Sequence, residues 1–178
     1  DLSNLILELV HYFEFLAEDK QMTFVLALEK GIQIYANADL LKRALSNLII
    51  NAIDYGFEDQ DIVISTKSTE NHVNIEILTK NVFIDKQHLN QLFERFYQID
   101  SSRHSKAKTG GLGLSIVKSI MMLHHGEVTA YNTKEVPAAD VATVQVFADP
   151  KYAGRISLPD STDDVWSLAF LATGVTSW

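Results

Sequence analysis

Two features of this chain could do chemistry on a phosphate. The first is a pair of asparagines, Asn47 and Asn51, in the stretch "ADLLKRALSNLIINAIDYG". In a helix, a spacing of four puts both on one face, one turn apart. Each carbonyl oxygen is a hard donor suited to Mg²⁺, and each amide nitrogen can donate to a phosphate oxygen. The second feature is "KTGGLGLSIVKSI", Lys108 to Ile120, where Gly110, Gly111 and Gly113 precede a run with helical spacing. Glycine admits positive φ and lets the backbone approach a ligand closely. A helix N-terminus adds free N–H groups and the positive end of a dipole, which together attract an anion. Taken singly, each feature has a plainer reading. Asparagines fit any solvated helix face, and a glycine-rich turn fits a flexible lead-in to a core helix.

The elements that must carry these residues can be read from periodicity. At about 100° per residue, Leu41, Leu45, Leu48 and Ala52 form an apolar stripe, with Arg43, Asn47, Asn51 and Asp54 on the opposite side. Ile116, Val117, Ile120 and Leu123 form a second stripe, on a helix that reaches His125 and stops at Gly126. "SNLILELVHYFEFLAEDK" is a further helix, with Ser3 as its N-cap. "MTFVLALE" and "IQIYAN" read as strands on either side of a turn at Gly31. "DIVISTKST" and "HVNIEILT" alternate about Glu70 and Asn71 as a hairpin. "DKQHLNQLFERF" is a short helix, "YQIDSSRHSKAKTGG" a polar loop, and "EVTAYN" and "ATVQVFAD" are closing strands. Farther on, "KYAGRISLP" is a possible strand, and "DSTDDVWSLAFLATGVTSW" matches no pattern. This order predicts an α/β fold, a two-layer sandwich of a mixed sheet covered on one face by helices.

Composition bounds the function. A chain of 178 residues with 47% hydrophobic and 21% charged content can build one domain with a core of ordinary size. A net charge of −8 excludes a general nucleic-acid binder, which needs a basic surface, but leaves a nucleotide ligand open. The absence of cysteine excludes disulfides, thiolate zinc sites and cysteine nucleophiles. No apolar run is long enough to span a bilayer, and "VWSLAFLATGV" is both too short and too polar. The chain opens on Asp1 rather than Met, as expected of a fragment of a longer protein.

Taken together, the two features resemble a known family. "NLIINAIDYG" is similar to the asparagine box of the histidine-kinase-like ATPases, the superfamily of gyrase, mismatch-repair ATPases and the ninety-kilodalton chaperone. "LFERFYQIDSSR" resembles the phenylalanine box and "GGLGLSIVKSI" the second glycine box, in the order found in the catalytic domain of bacterial sensor histidine kinases. The wording of the phenylalanine box is nearest to that of copper and silver sensors. The resemblance implies a Bergerat-type ATP-binding fold over residues 1–147, and leaves 148–178 as an extension of unknown role. It implies ATP and Mg²⁺ as cofactors, with Asn51 as metal ligand and Asn47 as a second contact to metal or phosphate. Tyr55 would stack on the adenine. Residues 97–109 would form a lid, with Arg95, Arg103, Lys106 and Lys108 reaching the phosphates and Gly110, Gly111, Leu112 and Gly113 wrapping them. The γ-phosphate would pass to a histidine on a dimerisation domain outside this chain, and indirectly to a response regulator. The membrane would be involved only through other parts of a sensor whose cytoplasmic portion this is.

One position separates kinase from hydrolase. Hydrolases of this superfamily carry a glutamate where Asn47 stands, and asparagine cannot take a proton from water at neutral pH. Two departures bear on affinity. The first glycine box, DxGxG in most sensor kinases, is replaced by "LTKNVFIDK", with Thr79 at the aspartate and Asn81 at the first glycine. Thr79 can still accept the adenine amino proton, but the loss of charge assistance costs about 1–2 kcal/mol, roughly tenfold or more in affinity. Asp54 stands where many relatives have a cation. These losses keep open a nucleotide-poor interaction module of the same fold, beside the third reading, a hydrolase of the gyrase or chaperone kind. None of His11, His72, His88, His104, His124 and His125 has the flanking residues of a phosphoacceptor. The adjacent His124 and His125 diverge by about 100° on a helix, a poor geometry for chelating one metal ion.

Overall fold

Alternation along three strands builds the sheet. A computed structural model of the chain describes residues 1–69, 72–80, 84, 86–89, 91–99, 110–126, 128, 130, 131, 156 and 157. The elements are α1 (Leu2–Glu18), β1 (Thr23–Leu28), α2 (Ala38–Tyr55), β2 (Asp61–Ser68), β3 (Val73–Thr79), α3 (Lys86–Leu89), α4 (Gly113–Leu123), β4 (Ala130–Tyr131) and β5 (Ile156–Ser157). β1 runs parallel to β2, with Phe24 opposite Ile62 and Leu26 opposite Ile64. β2 runs antiparallel to β3, with Ile64 opposite Ile77 and Ile62 opposite Thr79. A parallel pair needs a crossover, and α2 supplies it. Opposed residues share a face, so Phe24, Leu26, Ile62, Ile64, Ile75 and Ile77 line the face that the helices cover. Thr66 is buried on that face, and its hydroxyl accepts from the Glu29 N–H at 2.9 Å, which offsets the cost of burial.

The helices meet the sheet through apolar arcs. α1 buries Leu2, Ile6, Leu9, Phe13 and Ala17. α2 buries Leu41, Ala44, Leu45, Ile49 and Ile53. α4 buries Val117, Ile120 and Met121, and all join one core. Each fully buried aliphatic side chain contributes about 1.5–3 kcal/mol relative to exposure. These arcs differ from the stripes read in the sequence. Leu48 and Ala52 are only partly buried, whereas Ile49 and Ile53 are fully so, because α2 touches α1, β3 and α4 together and its buried arc covers roughly half the helix circumference. On α4, Leu123 is 70% exposed, because Met121 rather than Leu123 completes the core contact.

Several local expectations change. The N-cap of α1 is Asp1, which accepts from the Asn4 N–H at 3.0 Å, while the Ser3 hydroxyl donates to the Glu29 carbonyl. "IQIYAN" is not a strand. Ile32 is buried against the core, and its carbonyl accepts from the Leu2 N–H at 3.0 Å, so side-chain packing and α1 replace a ladder. Among the described residues the short helix is limited to α3, and residues 91–96 form turns and a bend. α4 ends at Leu123, and the left-handed residue that stops it is His125 at φ 52°, not Gly126. Its closing bond runs from the Gly126 N–H to the Met121 carbonyl at 2.9 Å.

Of the expected closing strands, Ala130–Tyr131 is described and pairs antiparallel with Ile156–Ser157, within "KYAGRISLP" and beyond residue 147. "ATVQVFAD" and the last twenty-one residues lie outside the described set. Tyr131 ties β4 to β3, since its hydroxyl donates to Glu76, which also accepts from the Ser65 hydroxyl at 3.3 Å. Burial, then the bond to Glu76 and its charge, raise the Tyr131 phenol above its ordinary 10.0. The folded chain therefore holds this proton at a pH where the unfolded chain has lost it. The stability this group contributes should be fully present and independent of pH below about pH 9 and be lost as pH rises past about 10. Urea melts of Tyr131→Phe should show a shallower alkaline decline than the parent, and identical declines would contradict the assignment.

Candidate functional site

The site is built from the first turn of α4 and one face of α2. α2 is capped at its start by Asn37, whose side chain accepts from the Leu40 N–H at 3.1 Å, and α1 is capped by Asp1. α4 differs. It follows Leu112 with no side-chain cap, so its opening N–H groups have no side-chain acceptor of that kind. Gly110 and Gly111 lead into it at φ 57° and 74°, where side chains are strained. Gly111 is required for a second reason. A Cβ there would lie 2.7 Å from the Phe96 carbonyl carbon and 2.9 Å from the Tyr97 oxygen. The Gly111 carbonyl also accepts from the Phe96 N–H at 2.9 Å, which joins the glycine turn to the phenylalanine stretch. Phe93 anchors that stretch in the core, while Phe96 is exposed.

Gly113 brings the two walls together. A Cβ on it would stand 3.7 Å from Asn51 Oδ1, 3.8 Å from Asn51 Nδ2 and 3.8 Å from Asn47 Oδ1. The asparagine face is thus no plain solvated surface. Both residues are half-buried and look toward the uncapped start of α4. Asn47 Nδ2 is buried with no hydrogen-bond partner among the described residues. An unsatisfied buried donor costs about 1–3 kcal/mol and is open to an acceptor such as a ligand oxygen. An amide oxygen pair, an orphaned amide donor and an uncapped helix start form a donor set that suits a phosphate chain with a hard cation.

The remaining expected residues fall as follows. Tyr55 ends α2, is 41% exposed, and its phenol is raised by burial and by the neighbouring Asp54 carboxylate. Thr79 ends β3 on the helix-covered face, opposite Ile62, and is half-buried. Arg95 is exposed in the turn after Phe93, Gly110 is exposed, and Leu112 is half-buried. Arg103, Lys106 and Lys108, with most of the expected lid and Asn81, lie outside the described residues. Asp54 has a partner that the sequence did not suggest. Lys20 Nζ lies 3.5 Å from its carboxylate and donates to the Ile53 carbonyl at 2.7 Å, across the end of α2. Both side chains are about one-third exposed, so solvent screens the pair. Among the described residues no group of three or more His, Asp or Glu could hold a metal ion. His124 is engaged through both ring nitrogens, with Ile120 and Asn37.

With this geometry in view, comparison with known proteins is decisive. Residues 36–151 match the family described as "Histidine kinase-, DNA gyrase B-, and HSP90-like ATPase". The chain belongs to this family. Membership in a family of ATPase domains implies that the chain binds ATP. Among relatives, the chain is 42% identical over 122 residues to sensor histidine kinase HprS of Escherichia coli (strain K12), covering 68% of this chain and 26% of that protein. It is 38% identical over 117 residues to sensor histidine kinase CusS of the same strain, covering 66% and 24%. The chain thus spans about a quarter of the length of the curated relatives it matches. The catalytic domain of histidine kinase ThkA in a nucleotide-free form shares the fold, with TM-score 0.64 at 24% identity, over 74% of this chain and 86% of that one. The mixed sheet covered by helices is the fold of a histidine kinase catalytic domain.

Two glycine variants separate folding from ligand space. Gly111→Ala, strained at positive φ and clashing with backbone, should lower stability by about 1–3 kcal/mol in urea melts. Gly113→Ala meets its neighbours at ordinary contact distance and should keep the melting temperature, yet it narrows the gap to the asparagines. Its affinity for an ATP analogue should fall about tenfold or more by calorimetry. Unchanged affinity in Gly113→Ala would show that the ligand does not use this gap.

Proposed function

We propose that the chain is the ATP-binding catalytic domain of a two-component sensor histidine kinase. It donates the γ-phosphate of Mg·ATP to a histidine on a dimerisation domain outside the chain, and that histidine then serves a response regulator. The observation that carries this reading is the approach of Gly113 to Asn47 and Asn51, with one buried amide donor left unsatisfied. The relatives, named sensor histidine kinases, support the kinase class over the gyrase and chaperone classes.

In this mechanism Asn51 Oδ1 would hold Mg²⁺, which would neutralise charge on the phosphate oxygens. Asn47 donates its orphaned Nδ2–H to a phosphate oxygen. The backbone of Gly110 to Gly113 and the start of α4 bind the phosphate chain, with Arg95, Arg103, Lys106 and Lys108 as further cations. Tyr55 stacks on the adenine, and Thr79 accepts from its amino group. Phosphoryl transfer needs positioning and charge neutralisation more than a protein nucleophile. Asn47 offers no base to activate water, so the γ-phosphate is kept for the histidine. Asp54, paired with Lys20, is held at the end of α2. The domain acts on the cytoplasmic side of a membrane-anchored sensor.

Asn51→Ala should abolish Mg²⁺-dependent binding of a non-hydrolysable ATP analogue while far-UV circular dichroism and melting temperature stay near the parent. Calorimetric affinity that is equal in parent and variant, with Mg²⁺ present, would overturn the metal assignment.

A further inference from the structure

α2 and α4 lie antiparallel, and their two ends are treated differently. At one end Gly113 faces Asn47 and Asn51 across unsatisfied polar groups. At the other end, the length of α4 away, His124 bridges the helices. α4 runs from Gly113 to Leu123, about 16 Å at 1.5 Å per residue. His124 Nδ1 is 2.8 Å from the Ile120 carbonyl, one turn back on α4. A carbonyl only accepts, so Nδ1 carries the proton. The neutral ring then has a free lone pair on Nε2, and that atom accepts from the Asn37 N–H at 3.0 Å. Asn37 is the N-cap of α2, and its side chain and carbonyl are already engaged with Leu40 and Leu41.

Apolar burial holds part of each helix end, through Ile32 and Leu41 at the start of α2 and Ile120 and Met121 near the end of α4. Residues 32–37 leading into α2 have no regular structure, and Tyr35 is 91% exposed. At the end of α4, Met122 and Leu123 are both exposed. Beyond that burial, the imidazole adds a short polar link between residues whose neighbours Tyr35, Met122 and Leu123 are exposed. A rigid helix transmits a shift at one end to the other, and site geometry displaced by about 1 Å can cost a hundredfold.

We propose that His124 is a positioning residue for nucleotide. Neutral and protonated on Nδ1, it pins the end of α4 to the start of α2 and so fixes the spacing between Gly113 and the two asparagine amides. The inference rests on the nucleotide reading of that gap. It concerns a residue that touches neither phosphate nor metal.

The test uses the 178-residue chain and two variants. His124→Gln keeps an acceptor, Oε1, where Nε2 stands, while His124→Leu fills similar space without one. Affinity for an ATP analogue with Mg²⁺ should fall about five- to twentyfold in His124→Leu and stay within about threefold in His124→Gln, measured by calorimetry well below both melting temperatures. Long-range ¹⁵N–¹H spectra of the parent should show the His124 proton on Nδ1. A parent that binds alongside a His124→Leu variant of equal affinity refutes the pin and leaves the site reading standing. Equal losses in both variants, or a proton on Nε2, also refute it. A parent that fails to bind the analogue refutes the site reading, and the pin with it.

Discussion

The close approach of the first turn of α4 to the amide pair on α2 is the constraint that the rest of the fold serves. Gly113, which has no side chain, leaves the space between them open. A Cβ there would sit at contact distance from both asparagines and narrow the space between the walls. The same helix start lacks a side-chain cap, and Asn47 keeps a buried donor unpaired. A protein that satisfies the caps of α1 and α2 yet leaves this junction unsatisfied retains polar groups for something it binds.

The surrounding elements hold the junction in place. The sheet supplies a flat apolar floor through Ile62, Ile64 and Ile75, and α2 rests on it with a buried arc wide enough to take α1 on one side and α4 on the other. Gly111 locks the turn ahead of α4 to the Phe96 backbone, and Phe93 roots that stretch in the core. The position of the glycine turn therefore depends on a segment that is itself anchored by burial. Lys20 closes the far end of α2 by donating to the Ile53 carbonyl, where the helix dipole favours a cation, and holds Asp54 beside it.

Legibility in the sequence followed the range of the interactions. The asparagine face and the glycine turn were readable because both depend on spacing within one turn or one loop. The mixed sheet with helices on one face was readable from the order of periodic segments. The strand expected at "IQIYAN" failed because its alternating apolar residues pack without a ladder, and periodicity cannot distinguish the two. Ser3 lost the cap of α1 to Asp1, since both residue types suit the role and only the bond to Glu29 decides between them. The pairing of Asp54 with Lys20 and of His124 with Asn37 joins residues far apart in the chain, and no local pattern announces either. Family resemblance pointed to the site residues as a set, yet it carried no information about the residues that hold the helix pair together.

The most direct measurement is a titration of the isotopically labelled chain with a non-hydrolysable ATP analogue, followed by NMR at the side-chain amides of Asn47 and Asn51 and the backbone amides of Gly111 and Gly113. If one triphosphate fills the gap between α2 and α4, all four resonances shift along a single binding curve, and the Asn51 response requires Mg²⁺. Shifts confined to one wall, or separate curves for the glycine turn and the asparagines, would contradict a shared ligand.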